Sequence, residues 1–222
     1  MCWNKEVSII TFVLAMIGSY YLFQRNAVND RWVSIFAATI ALIQLAEYFL
    51  WTDQSSQSSG QTNRLASMFV LLILAAEPLM NMLGGIYFSN TPYKSVLKWM
   101  LLAYVIFILF TFFTQVYQKN LDWRGVAGCD PDPNPFAGFF NGKECNLQWN
   151  FTKEIDYRLG IIWVMFLMIP FLTMTEKQHG IILFALGLIT AFMAKSANNA
   201  AAGSLWCWLA ISLIVVKIFI LK

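Results

Sequence analysis

Glu47 and Glu77 are the residues of this chain best placed to do chemistry, because each interrupts an otherwise apolar run. Glu47 lies within Gln44-Leu45-Ala46-Glu47-Tyr48-Phe49-Leu50-Trp51, and Glu77 within Ala75-Ala76-Glu77-Pro78-Leu79-Met80-Asn81. A charged side chain at the centre of a membrane helix costs at least ~2.5 kcal/mol on insertion scales, so such residues face a bundle interior or a water-filled cavity. The pair therefore marks a candidate site for moving or holding an ion or a proton.

Other polar residues fall at spacings that could join them. Asn81 is one helical turn beyond Glu77, and Gln44 shares a face with Glu47. Thr111 and Gln115 repeat at helical spacing, while Lys195, Asn198, Asn199 and Ser204 cluster near the outer ends of the last two apolar stretches. Thr190 lies deeper in the penultimate stretch. Lys195 is the expected counter-ion of Glu47, leaving Glu77 protonated, because burial and mutual repulsion disfavour two carboxylates in one cavity. Pro78 has no N–H to give the Leu74 carbonyl, which leaves an acceptor beside Glu77. Together these residues predict a polar cavity open to the outside, taking an ion or a small ligand from that side.

The elements that must position them follow from composition. Of 222 residues, 59% are hydrophobic and 12% charged, where a soluble domain carries roughly a quarter charged. The apolar residues fall in blocks near the ~20 residues that cross a hydrocarbon core. Spans are expected at 7–23, 32–51, 65–88, 96–117, 159–175, 180–194 and 205–221, in one domain covering 1–222 with an outer loop at 118–153. The expected fold is an all-α integral membrane protein, a seven-transmembrane-helix bundle. No small-residue cleavage pattern follows the first stretch, so it is expected to be a membrane helix and not a removable signal. The end of the sixth span is ambiguous, since Lys195 to Gly203 reads as helix or as loop.

Arg25, Arg31, Lys94, Lys98, Lys177, Lys217 and Lys222 all fall on one predicted side, which the positive-inside rule makes cytoplasmic. The amino terminus is then outside and the carboxyl terminus cytoplasmic. Trp32, Trp51, Trp99, Trp163, Trp206 and Trp208 lie near span ends and read as interfacial belts. Lys217 reads as a snorkelling residue.

The outer loop carries Cys129 and Cys145 around Asp130-Pro131-Asp132-Pro133-Asn134-Pro135. A disulfide between them suits an oxidising compartment and would contribute ~3 kcal/mol in the chain-entropy model; two unpaired thiols are the alternative. Cys2 is unassigned. Asn150-Phe151-Thr152 matches a glycosylation acceptor close to the fifth span.

Several classes are disfavoured. The net charge is only +3 and the basic residues are scattered, so nucleic acid is not an expected partner. With a single histidine, His179, zinc ligands are lacking, and no metal site is expected. No nucleophile, base and orienting group occur at a recognisable spacing, so an enzyme is not favoured. The partners are the bilayer, with room for a homo-oligomer.

Met1 to Glu6, Asn29-Asp30-Arg31-Trp32, Gln44 to Trp51, Glu77-Pro78 and Gly203-Ser204-Leu205-Trp206-Cys207 together resemble a family of uncharacterised multi-span proteins encoded by large DNA viruses of protists. The resemblance implies a host-cell or virion membrane and transfers no catalytic residue. The span count is also similar to that of rhodopsins. Retinal on Lys217 is not expected, because only five residues follow it and Leu213, not an aspartate, stands four before it.

The leading expectation is thus an ion or proton channel or transporter. The alternatives are a structural protein that binds a partner through the loop surface of Phe136, Phe139 and Phe140, and a rhodopsin-like ligand or light receptor.

Overall fold

The computed structural model describes residues 4–54, 60–129, 145–197 and 201–221. Helices α1 (Lys5–Arg25), α2 (Asp30–Thr52), α3 (Gln61–Phe88) and α4 (Lys94–Thr111) come first, α4 continuing into π-helical turns over Phe112–Tyr117. A hairpin of β1 (Gly125–Cys129) and β2 (Cys145–Trp149) follows, then the single turn α5 (Phe151–Glu154). Helix α6 (Tyr157–Met168) tightens into a 3-10 segment over Ile169–Thr173, and α7 (Lys177–Ala197), α8 (Ala202–Ala210) and α9 (Ser212–Phe219) complete the chain.

Among the described residues, six helical stretches are long and apolar enough to cross a membrane: Lys5–Arg25, Asp30–Thr52, Gln61–Phe88, Lys94–Tyr117, Lys177–Ser196 and Ala202–Phe219. Tyr157–Thr173 is apolar but shorter. Its rise is nonetheless about 28 Å, because five residues at ~2.0 Å follow twelve at ~1.5 Å. It reaches from one end of the bundle, where the Asp156 N–H meets Gln115 Oε1 at 3.4 Å, to the other, where Thr91 Oγ1 donates to the Thr173 carbonyl. The ambiguous end of the sixth span is helical through Ala197, as the absence of Gly and Pro after Gly187 allows.

Helix α2 is the axis of the fold, with 67% of its apolar window buried, against 11% for Lys94–Tyr117. Large apolar side chains therefore cover the outside of the bundle: Leu14 and Ile17 of α1, Ile106 and Phe110 of α4, and Ile189 and Phe192 of α7 are all exposed. Helix α3 packs tightly on α2 through Gly84 and Gly85. A methyl on Gly84 would lie 2.7 Å from Trp32 Cδ1, and one on Gly85 2.8 Å from Trp32 Cζ2. The two glycines form a slot for the indole. Trp32 is fully buried, and Trp206 is 8% exposed, which corrects the interfacial-belt reading for both. Trp99, at 70% exposed, fits that reading.

The β-hairpin folds back over one end of the bundle. Gln54 and Asn63, flanking the connection between α2 and α3, hold it: Asn63 Nδ2 donates to the Gly125 carbonyl at 2.9 Å, and Asn63 Oδ1 accepts from the Gly125 N–H at 2.9 Å. Gln54 Nε2 donates to the same carbonyl, and Gln54 Oε1 accepts from Ala127 N–H at 3.0 Å. Gly125 lies against Leu50, whose Cδ1 would be 2.9 Å from an added methyl. Leu147, Trp149 and Phe151 are buried beneath this cap.

Candidate functional site

Glu77 lies in the interior of α3 and is 1% exposed. Its Oε1 has no hydrogen-bond partner among the described residues. The carbonyl that Pro78 leaves open is satisfied from another helix, since Trp163 Nε1 of α6 donates to Leu74 O at 2.8 Å. Tyr104 of α4 donates its hydroxyl to the neighbouring Ala75 carbonyl at 2.7 Å. Both donors are thus spent on α3 backbone.

Asn81, one turn further along, is a hub. Its Oδ1 accepts from Trp32 Nε1 at 2.6 Å, and its Nδ2 donates to the Leu167 carbonyl at 2.7 Å. That carbonyl is available because α6 tightens at Ile169, where a 3-10 bond would need an N–H that Pro170 lacks. One side chain ties α2, α3 and α6 together.

Gln44 and Glu47 are both fully buried on α2, with Gln44 Nε2 donating to Glu47 Oε2 at 3.0 Å. Taking the Asn63–Asp53 contact as a common level, Glu77 lies eight residues deeper than Glu47, about 12 Å along the axis at ~1.5 Å per residue. The two carboxyls therefore occupy separate levels of the bundle. Lys195 is exposed, on the side of α7 away from the core face that holds its neighbour Ala194, whereas Glu47 is fully buried, which corrects the expected Glu47–Lys195 pairing. Asn198 and Asn199 lie outside the described residues.

Ser204 is buried on α8, and Thr190 Oγ1 accepts from Trp206 Nε1 at 3.2 Å. The Trp206 ring meets Trp163 edge-on at 5.5 Å. Thr111 Oγ1 is buried without a hydrogen-bond partner among the described residues. Gln115 sits in the π-helical turns and accepts from Lys119 Nζ at 2.7 Å.

The polar centre that sequence reasoning missed is at the opposite end from the hairpin. Asn26 and Asn29 both take left-handed backbone conformations, with φ 51° and 62°, which a short Asn side chain tolerates. The tight turn they make sets Asp30 as the first residue of α2. Arg25 grips the Asp30 carboxylate with Nε at 2.6 Å from Oδ2 and Nη2 at 2.8 Å from Oδ1, and the Ala27 N–H donates to Oδ2 at 2.9 Å. Lys217 of α9, fully buried, comes within 3.0 Å of Asp30 Oδ1 and donates to the Val28 and Leu221 carbonyls, each at 2.8 Å. Its three ammonium hydrogens are all used. Arg25 also donates to the Ile218 and Lys217 carbonyls at 3.1 and 3.0 Å. Lys217 is not a snorkelling residue: it closes the ring of helices by locking the last to the first connection. The only sequence signal was its setting among apolar residues.

Beyond the bundle, Asp122 pairs with Arg124, Nε to Oδ1 at 2.5 Å, and accepts from Asn150 Nδ2 at 2.9 Å. The hydrogen bond from Arg124 is the main reason the Asp122 carboxyl is held below the usual carboxylate range, against a smaller opposing effect of burial. The Asn150 amide that a glycan would modify is therefore engaged. The strand register sets Cys129 opposite Cys145, while their side chains, together with Cys2, Phe136, Phe139 and Phe140, lie outside the described residues. Among the described residues no group of three or more His, Cys, Asp or Glu could hold a metal ion.

These features define a helical bundle with six membrane-length apolar helices and a carboxyl in its interior. No family model, no curated protein and no solved structure matches the chain.

Proposed function

We propose that the protein is a multi-pass membrane protein that moves a proton or a cation through its bundle, with Glu77 as the central binding group. The observation that carries this reading is the isolation of Glu77: a titratable side chain, 1% exposed, with an oxygen that no described residue hydrogen-bonds. A buried polar atom without a partner costs about 1–3 kcal/mol and more when charged, and a carboxyl at such a position suits a group that takes up and releases an ion. In this reading the Arg25–Asp30–Lys217 lock and the hairpin cap close the path at its two ends.

Seven crossings are part of the proposal. The rise of about 28 Å over Tyr157–Thr173 is close to the ~30 Å hydrocarbon core, and the 3-10 segment supplies the reach that a 12-residue α-helix lacks. The amino terminus would then lie outside and the carboxyl terminus, beside the Arg25–Lys217 lock, in the cytoplasm. A viral membrane location rests on the quoted motifs alone.

Current across a planar bilayer containing the purified protein, recorded against a pH gradient, tests the reading. Glu77→Gln should abolish the current or its pH dependence. A current unchanged in both Glu77→Gln and Glu47→Gln would overturn the proposal.

The second reading, a structural protein whose outer loop binds a partner, is favoured by the anchoring of the hairpin through Gln54 and Asn63, which would present residues 130–144 on a fixed base. The directly opposed Cys129 and Cys145 support a disulfide in that loop, because opposed strand positions match the Cα separation of a bridge.

A further inference from the structure

Near the hairpin end, α3, α4 and α6 part around a cavity of about 210 Å³. Leu74, Phe107, Ile108 and Trp163 form its walls, Thr111 lies at one side, and Asp156 is the charged residue of its lining among the described residues. Three further observations mark it as more than a packing gap.

First, a methyl placed on Gly160, which lines the cavity, would meet no atom within 4 Å, so the flank of α6 is open there. Second, Thr111 Oγ1 is buried beside the cavity without a partner among the described residues. Third, the switch of α4 to π-helical turns begins directly after Thr111, and such turns recur at functional sites because they shift side chains off the regular helix face. A dry apolar cavity of ~150 Å³ already takes a small aromatic ring, so this one has room for the end of a hydrocarbon chain. At its rim Asp156 is exposed and uses Oδ1 to cap α6 through the Arg158 N–H at 2.9 Å, so a ligand's donor can reach the carboxylate from the cavity mouth.

Two nearby cations have contacts of their own. Lys119 donates to Gln115 Oε1 and the Glu154 carbonyl at 2.7 and 2.6 Å, and the Arg158 guanidinium stacks 5.9 Å from the Tyr157 ring centroid.

We infer that this cavity binds a single-chain amphiphile with a hydroxyl or ammonium head, its chain lying along Trp163 between α4 and α6 and its head at Asp156. The site is separate from Glu77 and stands or falls independently of the transport reading.

The test uses the full chain in lipid nanodiscs and four probes: a long-chain primary amine brominated along its chain, the matching alcohol, the matching carboxylate, and a brominated two-chain phosphatidylcholine. Bromine quenches indole emission at contact, and Trp163→Phe identifies the share of quenching due to Trp163. The amine and the alcohol should quench that share saturably. Gly160→Leu, which fills the open flank and favours the helix, should weaken binding by at least about tenfold with unchanged thermal unfolding. Ile108→Phe fills the cavity from α4 and serves if Gly160→Leu does not fold. Asp156→Asn should weaken the amine more than the alcohol. Unchanged binding in the filling variants, a carboxylate that binds as well as the amine, or quenching by the two-chain lipid alone would each overturn the inference.

Discussion

Asp30 and Glu77 are two carboxyls with almost no exposed surface and opposite surroundings. Asp30 receives a two-pronged guanidinium, an ammonium and a backbone N–H at the start of a helix, where the helix dipole also favours negative charge. Glu77 has Oε1 facing no described hydrogen-bond donor, in a helix whose nearby carbonyls take the Trp163 and Tyr104 donors instead. The difference teaches that burial alone does not assign a role: the Asp30 carboxyl is committed to holding two ends of the chain together, whereas no such commitment is seen for Glu77 Oε1 among the described residues.

The largest effect expected is on the Asp30 side. Asp30→Ala leaves a buried ammonium facing a guanidinium, and should destabilise the protein by about 3–5 kcal/mol, read as a lowered unfolding temperature. Asn81→Ala comes next. It strands the Trp32 indole N–H and the Leu167 carbonyl, and should cost about 2–4 kcal/mol in the same assay. Trp163→Phe removes one donor from Leu74 O and should cost about 1 kcal/mol. Glu77→Gln should change stability by less than about 1 kcal/mol, since no described interaction is lost; a loss as large as that of Asp30→Ala would erase the contrast.

The smallest effect is at the cap. With its folded value held below the ordinary one, Asp122 contributes stability above the unfolded carboxylate range, ~3.9, and loses it as pH falls through the lower folded value. Proteolysis of the hairpin segment should therefore rise only below about pH 4, and Arg124→Gln should bring that rise to higher pH.

The helices were legible because apolar blocks of membrane length need no partner to be recognised. The orphan Leu74 carbonyl was legible too, from Pro78 alone, but its donor, Trp163, is 89 positions away. Lys217 and Lys195 were misplaced for the same reason. Each is a lysine in an apolar setting, and only tertiary packing decides which meets a carboxylate: Lys217 finds Asp30 across the whole chain, whereas Lys195 emerges on the exposed side of α7. The faces that carry Glu47 and Glu77 could be read from periodicity, while their separation along the bundle needed the packing of α2 on α3. The cavity beside Gly160 had no sequence signal beyond a glycine and a threonine.

The most direct test of the central claim is an infrared difference spectrum between acid and alkaline pH, recorded on the protein in lipid. If Glu77 is an exchanging carboxyl, the wild-type spectrum contains a carboxyl C=O band that responds to bulk pH and is missing from Glu77→Gln but present in Glu47→Gln. Identical spectra for wild type and a folded Glu77→Gln would contradict the account and leave Glu77 a structural residue.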